Sequence, residues 1–216
     1  MKQATPSKAE TILLEPFVGL PLDAIVVPVS SAEFAAAMIE IQTARVVGFD
    51  TESKPTFVKG DVSSGPHTVQ FATLEKAFIF QVFRPEGHEY LVEILRSTEV
   101  LKVGFGLESD RSQIQRKLDV TLDAVLDLNT VFRHEGYKST AGVRAAVAIV
   151  MNQKFHKSKR VTTTNWAAPA LNDKQLLYAA NDAYAALKVL EALNKRPGKS
   201  PVTLHHANDS AAPAVN

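Results

Sequence analysis

The run Arg45 to Ser53, RVVGFDTES, restricts the possible folds of this chain more than any other stretch. Val46, Val47 and Phe49 are β-branched or aromatic and nearly contiguous, the pattern of a strand covered on both faces. The run then stops at two carboxylates, Asp50 and Glu52. Side chains two apart in a strand point the same way and lie roughly 6 to 7 Å apart. Anions held that close repel and call for a cation. Oxygen donors select hard divalent ions such as magnesium or manganese. An ordinary strand end with solvated acids accounts better for an isolated DxE, so the rest of the chain must decide.

Residues 1 to about 22 carry prolines, a glycine and apolar residues without a sustained period, which predicts an extended or partly ordered arm. Ala24 to Val29 reads as an edge strand, since its proline is tolerated only at an edge. Ser30 and Glu33 have capping-box spacing, and Phe34, Ala37, Met38 and Ile41 follow at helical intervals. After the acidic pair comes a polar loop with Lys54 and Lys59, then two strand-like runs, His67 to Leu74 and Ala77 to Phe83, arranged as a hairpin. From Tyr90 onward helical and strand-like patterns alternate: a helix around Tyr90 to Leu95, a strand Val100 to Phe105, a helix Leu107 to Leu118, a last strand within Ala124 to Phe132, and a helix Thr140 to Met151. That alternation predicts parallel pairing. The expected fold is a mixed α/β sheet flanked by helices, three antiparallel strands first and then strands parallel to the first.

One dense basic cluster, Lys154 to Arg160, precedes the strongest helical pattern. Asn172 and Gln175 give that helix a variant capping box, and an apolar period runs from Leu176 to Leu193. Pro197-Gly198 stops it, and residues 196–216 are expected to form a disordered tail. Inside the apolar stripe sits Asp182, one turn after Tyr178 and on the same face. A carboxylate there is costly without a partner.

With 216 residues and 45% hydrophobic content, the chain suits one domain with a sizeable core. It has no cysteine, so a metal would be held by oxygen or histidine. A formal charge of +1 is no bulk signal for a polyanion, which leaves local clusters to carry any such contact. No apolar run approaches the roughly 20 residues needed to span a bilayer, and no charged-then-apolar leader opens the sequence. The expectation is a soluble, cytoplasmic protein without a membrane partner.

FDTE with Asp50 and Glu52, VGFGLESD with Asp110, and YAANDA with Tyr178 and Asp182 occur in that order. Together they resemble the DEDDy class of 3′-to-5′ exonucleases, named for four acids and a tyrosine. Within it the chain is similar to the Werner syndrome protein's exonuclease domain and to ribonuclease D. VQFAT, LKVG and NWAAPALNDKQLLYAA fit as well, so the resemblance runs from about Ala24 to Leu193. Ribonuclease D-like members often carry asparagine four residues before the second-motif aspartate, where this chain has Gly106, as Werner-type members do. The resemblance implies a ribonuclease H-like fold, with an exonuclease domain over residues 23–195 and an arm over 1–22.

It also implies two divalent metal ions, Mg2+ or Mn2+, clamping a terminal phosphodiester at roughly 3.5 to 4 Å separation. Asp50 would bridge them, Glu52 and Asp182 would complete one site, Asp110 would support the other, and Tyr178 would orient water. The substrate implied is DNA, with RNA or short oligonucleotides as the alternative, and a helicase or repair protein acting in trans is a candidate partner. Lys54, Lys59, Lys157, Lys159 and Arg160 are the candidate backbone contacts. Trp166 suits packing better than base stacking but could approach substrate in such a family. Two other readings compete. VGFGLES approximates a dinucleotide-binding GxGxxG, but Ser109 replaces the third glycine and no acid follows at the usual distance. A non-catalytic binding scaffold would predict a broken acidic set, and the set is intact.

Overall fold

The computed structural model describes residues 3–56, 60–137, 141–197 and 202. In chain order a short helix α1 (Lys8–Thr11) and strand β1 (Glu15–Pro16) lead to edge strand β2 (Ile25–Val26) and helix α2 (Ser31–Ala44). The strands β3 (Val46–Glu52), β4 (Thr68–Ala72) and β5 (Ala77–Gln81) follow. Next come α3 (His88–Arg96), β6 (Leu101–Gly104), α4 (Glu108–Leu118), β7 (Val125–Asp127) and α5 (Leu128–His134). The chain continues through α6 (Val143–Met151), β8 (Gln153–Lys154), α7 (Lys159–Thr162) and the long α8 (Asp173–Asn194). Both anticipated capping boxes form. Ser30 and Glu33 close the start of α2, and Asn172 and Gln175 close the start of α8.

Six strands make one sheet in the order β2-β5-β4-β3-β6-β7. β3, β4 and β5 run antiparallel in succession, and β6 and β7 are parallel to β3. This is the expected mixed sheet, with helices on both faces. Strand alternation sorts β3 between two layers. Val47 and Phe49 enter the core formed with Phe34 and Ile41 of α2 and Leu91, Ile94 and Leu95 of α3. Gly48, Asp50 and Glu52 turn to the opposite face, where α8 lies. Gly48 is required there: a Cβ on it would stand 1.9 Å from the carbonyl oxygen of Ala183. The helix backbone therefore rests directly on the strand, and the residue before Ala183 is Asp182.

Lys102 shows how tertiary packing overrides a simple strand pattern. It is fully buried in β6, and its ammonium donates to the carbonyls of Ser97 at 2.7 Å and Ile94 at 3.1 Å, where α3 ends. Burial pulls its pKa from 10.5 down to about 8. Between those values the unfolded chain holds a proton that the folded chain has released, so stability should rise with pH across that window. Urea denaturation of the wild type and of Lys102→Met from pH 8 to 10.5 measures the difference. A rise of about 3 kcal/mol, present only in the wild type, is the expected upper bound.

Residues 3–22 are clipped to the domain along their length. β1 pairs in parallel with β8, Phe17 packs edge-on against Phe155, and the Leu20 amide donates to Asn181 Oδ1 at 2.7 Å. Farther upstream, Gln3 bridges Tyr137, its amide donating to the Gly136 carbonyl at 2.9 Å. Lys59 and nearly all of the expected C-terminal tail lie outside the described residues. No described helix is long and apolar enough to cross a membrane.

Candidate active site

Strand β3 delivers Asp50 and Glu52 to the α8 face, and α8 delivers Asp182 opposite them. Carboxylate oxygens of these three residues lie within 4.8 Å of one another. Gln70 stands across from Asp50 in the ladder, and Thr68 across from Glu52, so β4 supplies the neighbouring wall. Gln70 donates to Thr68 at 2.5 Å, and its own Oε1 is buried without a donor, as is Oδ1 of Asp182. Buried acceptors of this kind need a proton donor, an ordered water or a cation.

Burial pushes the Asp50 carboxyl well above its ordinary range, and the neighbouring Asp182 and Asp110 carboxylates add to this. The Glu52 carboxyl is pushed up to about 9, first by burial and then by Asp50 and Asp182. Asp182 is also raised by burial, against the opposing charge of Lys157. Lys157 places its ammonium 2.7 Å from Asp182 Oδ2 and 5.5 Å from the centre of the Tyr178 ring. Burial opposes the charge on Lys157, but Asp182 and Asp50 outweigh it and raise its pKa. An all-oxygen set of three crowded carboxylates with orphaned buried acceptors fits a hard divalent cation held by Asp50, Glu52 and Asp182.

Asp110 does not join that group. It comes from α4, on the other side of the sheet, and accepts a short hydrogen bond from the Thr51 hydroxyl and another from Ser109 at 3.4 Å. Thr51 lies between the two acids in sequence and so points away from them, which is where α4 packs. Asp110 thus reaches the strand end from the opposite layer, close enough to raise the Asp50 carboxyl.

Tyr178 lies one turn before Asp182 and is almost buried. Its phenolic oxygen accepts from the Thr162 hydroxyl at 3.0 Å, and burial and Asp182 both raise its pKa. Trp166 corrects the base-contact expectation. It is 1% exposed, its Nε1 donates to the Thr162 carbonyl at 3.2 Å, and its ring packs against Tyr178 at 6.0 Å. No face of the indole is free for a base; Trp166 braces the α7 turn and the tyrosine instead.

Above the acids opens a cleft of about 500 Å3, lined by Asp50, Asp182, Phe105, Arg144, Lys157 and Lys159 among others. Lys159 is exposed beside it, Arg160 is exposed but not among its lining residues, and Lys54 is exposed just beyond β3. Arg144, at the start of α6, was not singled out from the sequence because it stands alone in an apolar helix. Thr51 and Thr162 were also missed. Strand alternation around DTE and the TTT run before the third motif are the signals that mark them.

Residues 26–196 match the 3'-5' exonuclease family. The chain belongs to that family. Mouse bifunctional 3'-5' exonuclease/ATP-dependent helicase WRN is 32% identical over 155 residues, covering 68% of this chain and 11% of the mouse protein. An Arabidopsis thaliana 3'-5' exonuclease is 28% identical over 156 residues, covering 70% of this chain and 53% of that one. The chain thus spans about half or less of the length of these relatives. Among solved structures, the Aedes aegypti Nibbler EXO domain superposes with a TM-score of 0.73 at 22% identity, covering 89% of this chain and 97% of that chain. Trypanosoma brucei RNase D in complex with RNA U12 gives 0.71 at 21% identity, covering 81% and 63%. Both show the same ribonuclease H-like fold.

The raised carboxyl values carry a sign. The unfolded chain ionises Asp50 and Glu52 near 4, whereas the folded chain keeps protons there up to much higher pH. Metal-free stability therefore falls as pH rises toward 9, and a cation that replaces those protons restores it. Melting with saturating Mn2+ should raise Tm by roughly 5 to 10 °C, more at pH 8 than at pH 6. Equal shifts at both pH values would remove these acids from the metal site.

Proposed function

We propose that the chain removes nucleotides from the 3′ end of a nucleic acid by hydrolysis, with DNA as the substrate. The observation that carries this reading is the convergence of Asp50, Glu52 and Asp182, two of which, Asp50 and Asp182, line a cleft with basic walls. Two divalent ions bound at such a site supply charge neutralisation of the phosphate and of the attacking and leaving oxygens. The protein's own contributions follow from its geometry. Asp50 and Glu52 hold the acidic floor in fixed register through β3, and Asp182 is pressed against it by α8. Asp110, oriented by Thr51, adds negative charge from the other layer. Tyr178, its oxygen fixed by Thr162, keeps its hydroxyl beside Asp182, where it suits orienting water. Its raised pKa excludes it as a bulk base near neutrality. Water adds to the terminal phosphorus, the bond to the 3′ oxygen of the preceding nucleotide breaks, and that oxygen takes up a proton.

Lys157 and Lys159 face the cleft and suit backbone phosphates, which carry no sequence information. Lys159→Gln should lower the slope of log binding constant against log salt by about 0.7 for a single strand. An unchanged slope in a salt titration by fluorescence anisotropy would return Lys159 to the solvated surface. DNA is favoured by the Werner-type second motif with Gly106. Digestion of 3′-labelled DNA and RNA of one sequence with magnesium, manganese or chelator tests the whole reading. Metal-dependent shortening from the 3′ end is expected, faster on DNA. Preference for RNA would replace DNA by RNA in the assignment, and no shortening of either would leave a binding scaffold.

A further inference from the structure

The N-terminal arm reaches the site that the nuclease reading uses. Thr5 and Pro6 line the same cleft as Asp50 and Asp182. The segment is held at both ends of its path. Downstream, Leu20 is bonded to Asn181, the neighbour of Asp182, and β1 is zipped to β8 just before Lys157. Upstream, Gln3 is bridged to Tyr137, after α5. Between these anchors the Ser7–Glu10 capping box fixes the turn into α1, so Thr5 and Pro6 are presented to the cleft by ordered chain on both sides.

We propose that residues Gln3 to Pro6 are a strap that selects the substrate: it narrows the cleft to admit a single-stranded 3′ end and excludes the complementary strand. The inference rests on the nuclease reading. A space of about 500 Å3 is that of a pocket for one small ligand, which fits a terminal nucleotide and not a base pair with its two backbones. Thr5 and Pro6 of the strap share the cleft wall with the acids. Lys157 and Lys159 line the cleft as well, and they give the rest of a single strand a path along its phosphates. The side chains on the strap are small or neutral, so it acts by occupying space.

Two variants in the full chain test this. Deleting Gln3 to Pro6 leaves Ser7 and its cap in place and opens the cleft. The pair Gln3→Cys and Tyr137→Cys joins bridged positions and can lock the strap, since disulfides need Cα atoms only about 4.4 to 6.8 Å apart and no other cysteine competes. The readout is the ratio of kcat/KM for a recessed 3′ end in a duplex to that for a single strand. The deletion should raise this ratio about tenfold or more. The oxidised cysteine pair should lower it below the wild-type value, and reduction should return it to wild type. A ratio unchanged by the deletion, or equal in oxidised and reduced protein, overturns the strap. Binding of the same two substrates by anisotropy, in an Asp50→Asn background, separates the two readings. If no substrate is hydrolysed by wild type, the nuclease reading fails on its own. The strap then stands if the deletion raises duplex binding relative to single-strand binding, and falls if it does not.

Discussion

Asp50→Asn should abolish hydrolysis and at the same time raise the melting temperature of the metal-free protein. Asp50 is buried, and Asp182 and Asp110 both push its carboxyl up, so near neutrality the folded chain must take up a proton there, a cost that the amide removes. In hydrolysis the same carboxylate belongs to the three-residue group suited to a cation. Losing charge stabilisation worth several kcal/mol corresponds to about a thousandfold in rate. Opposite signs on stability and activity are the diagnostic, because a variant damaged by misfolding loses both. The gain in Tm should grow from pH 6 to pH 8, because keeping a proton on the wild-type carboxyl costs more the farther the pH lies above its unfolded value. Thermal melts in chelator and single-turnover assays in manganese measure the two halves. A variant that keeps wild-type turnover would refute the catalytic assignment, and one that melts lower without metal would refute the electrostatic account.

Gly48→Ala should do the reverse and damage the fold first. The added methyl would lie 1.9 Å from the Ala183 carbonyl oxygen, against helix backbone that cannot rotate away. Overpacking of this kind costs about 3 kcal/mol or more. Chemical denaturation should show that loss. Whatever protein remains folded must carry α8 farther from β3 and Asp182 with it. A displacement near 1 Å at reacting groups lowers rates about a hundredfold, so the stabilising shift with Mn2+ should also shrink. Wild-type stability in Gly48→Ala would mean that the helix is not seated on the strand as described.

Much of this site was readable from periodicity alone. The alternation of β3 put Asp50 and Glu52 together, and the four-residue step from Tyr178 put it on the face of Asp182. Helical caps were equally plain, because Ser30 with Glu33 and Asn172 with Gln175 act within one turn. What escaped detection depends on distant partners. The partner of Asp110 is one such case, since only the placement of α4 across the sheet brings it to the Thr51 hydroxyl. Lys102 read as an ordinary strand residue until α3 supplied carbonyls above it. The arm lacked a period since its partners, Gln153, Lys154 and Asn181, lie more than a hundred residues downstream.

The seating of α8 on β3 also sets when the protein becomes competent. Residues 50 and 182 meet only after most of the chain has been made, and contacts that distant in sequence form late because the intervening loop must first be closed. A growing chain can pair β3 with β4 and β5 early, but until the last helix docks it has neither Asp182 nor Tyr178 in place, and the face carrying Gly48 stays open. A half-made chain therefore lacks the α8 side of the acidic group. Any truncation before residue 173 should give a product that is inert and, with its central strand uncovered, prone to aggregate.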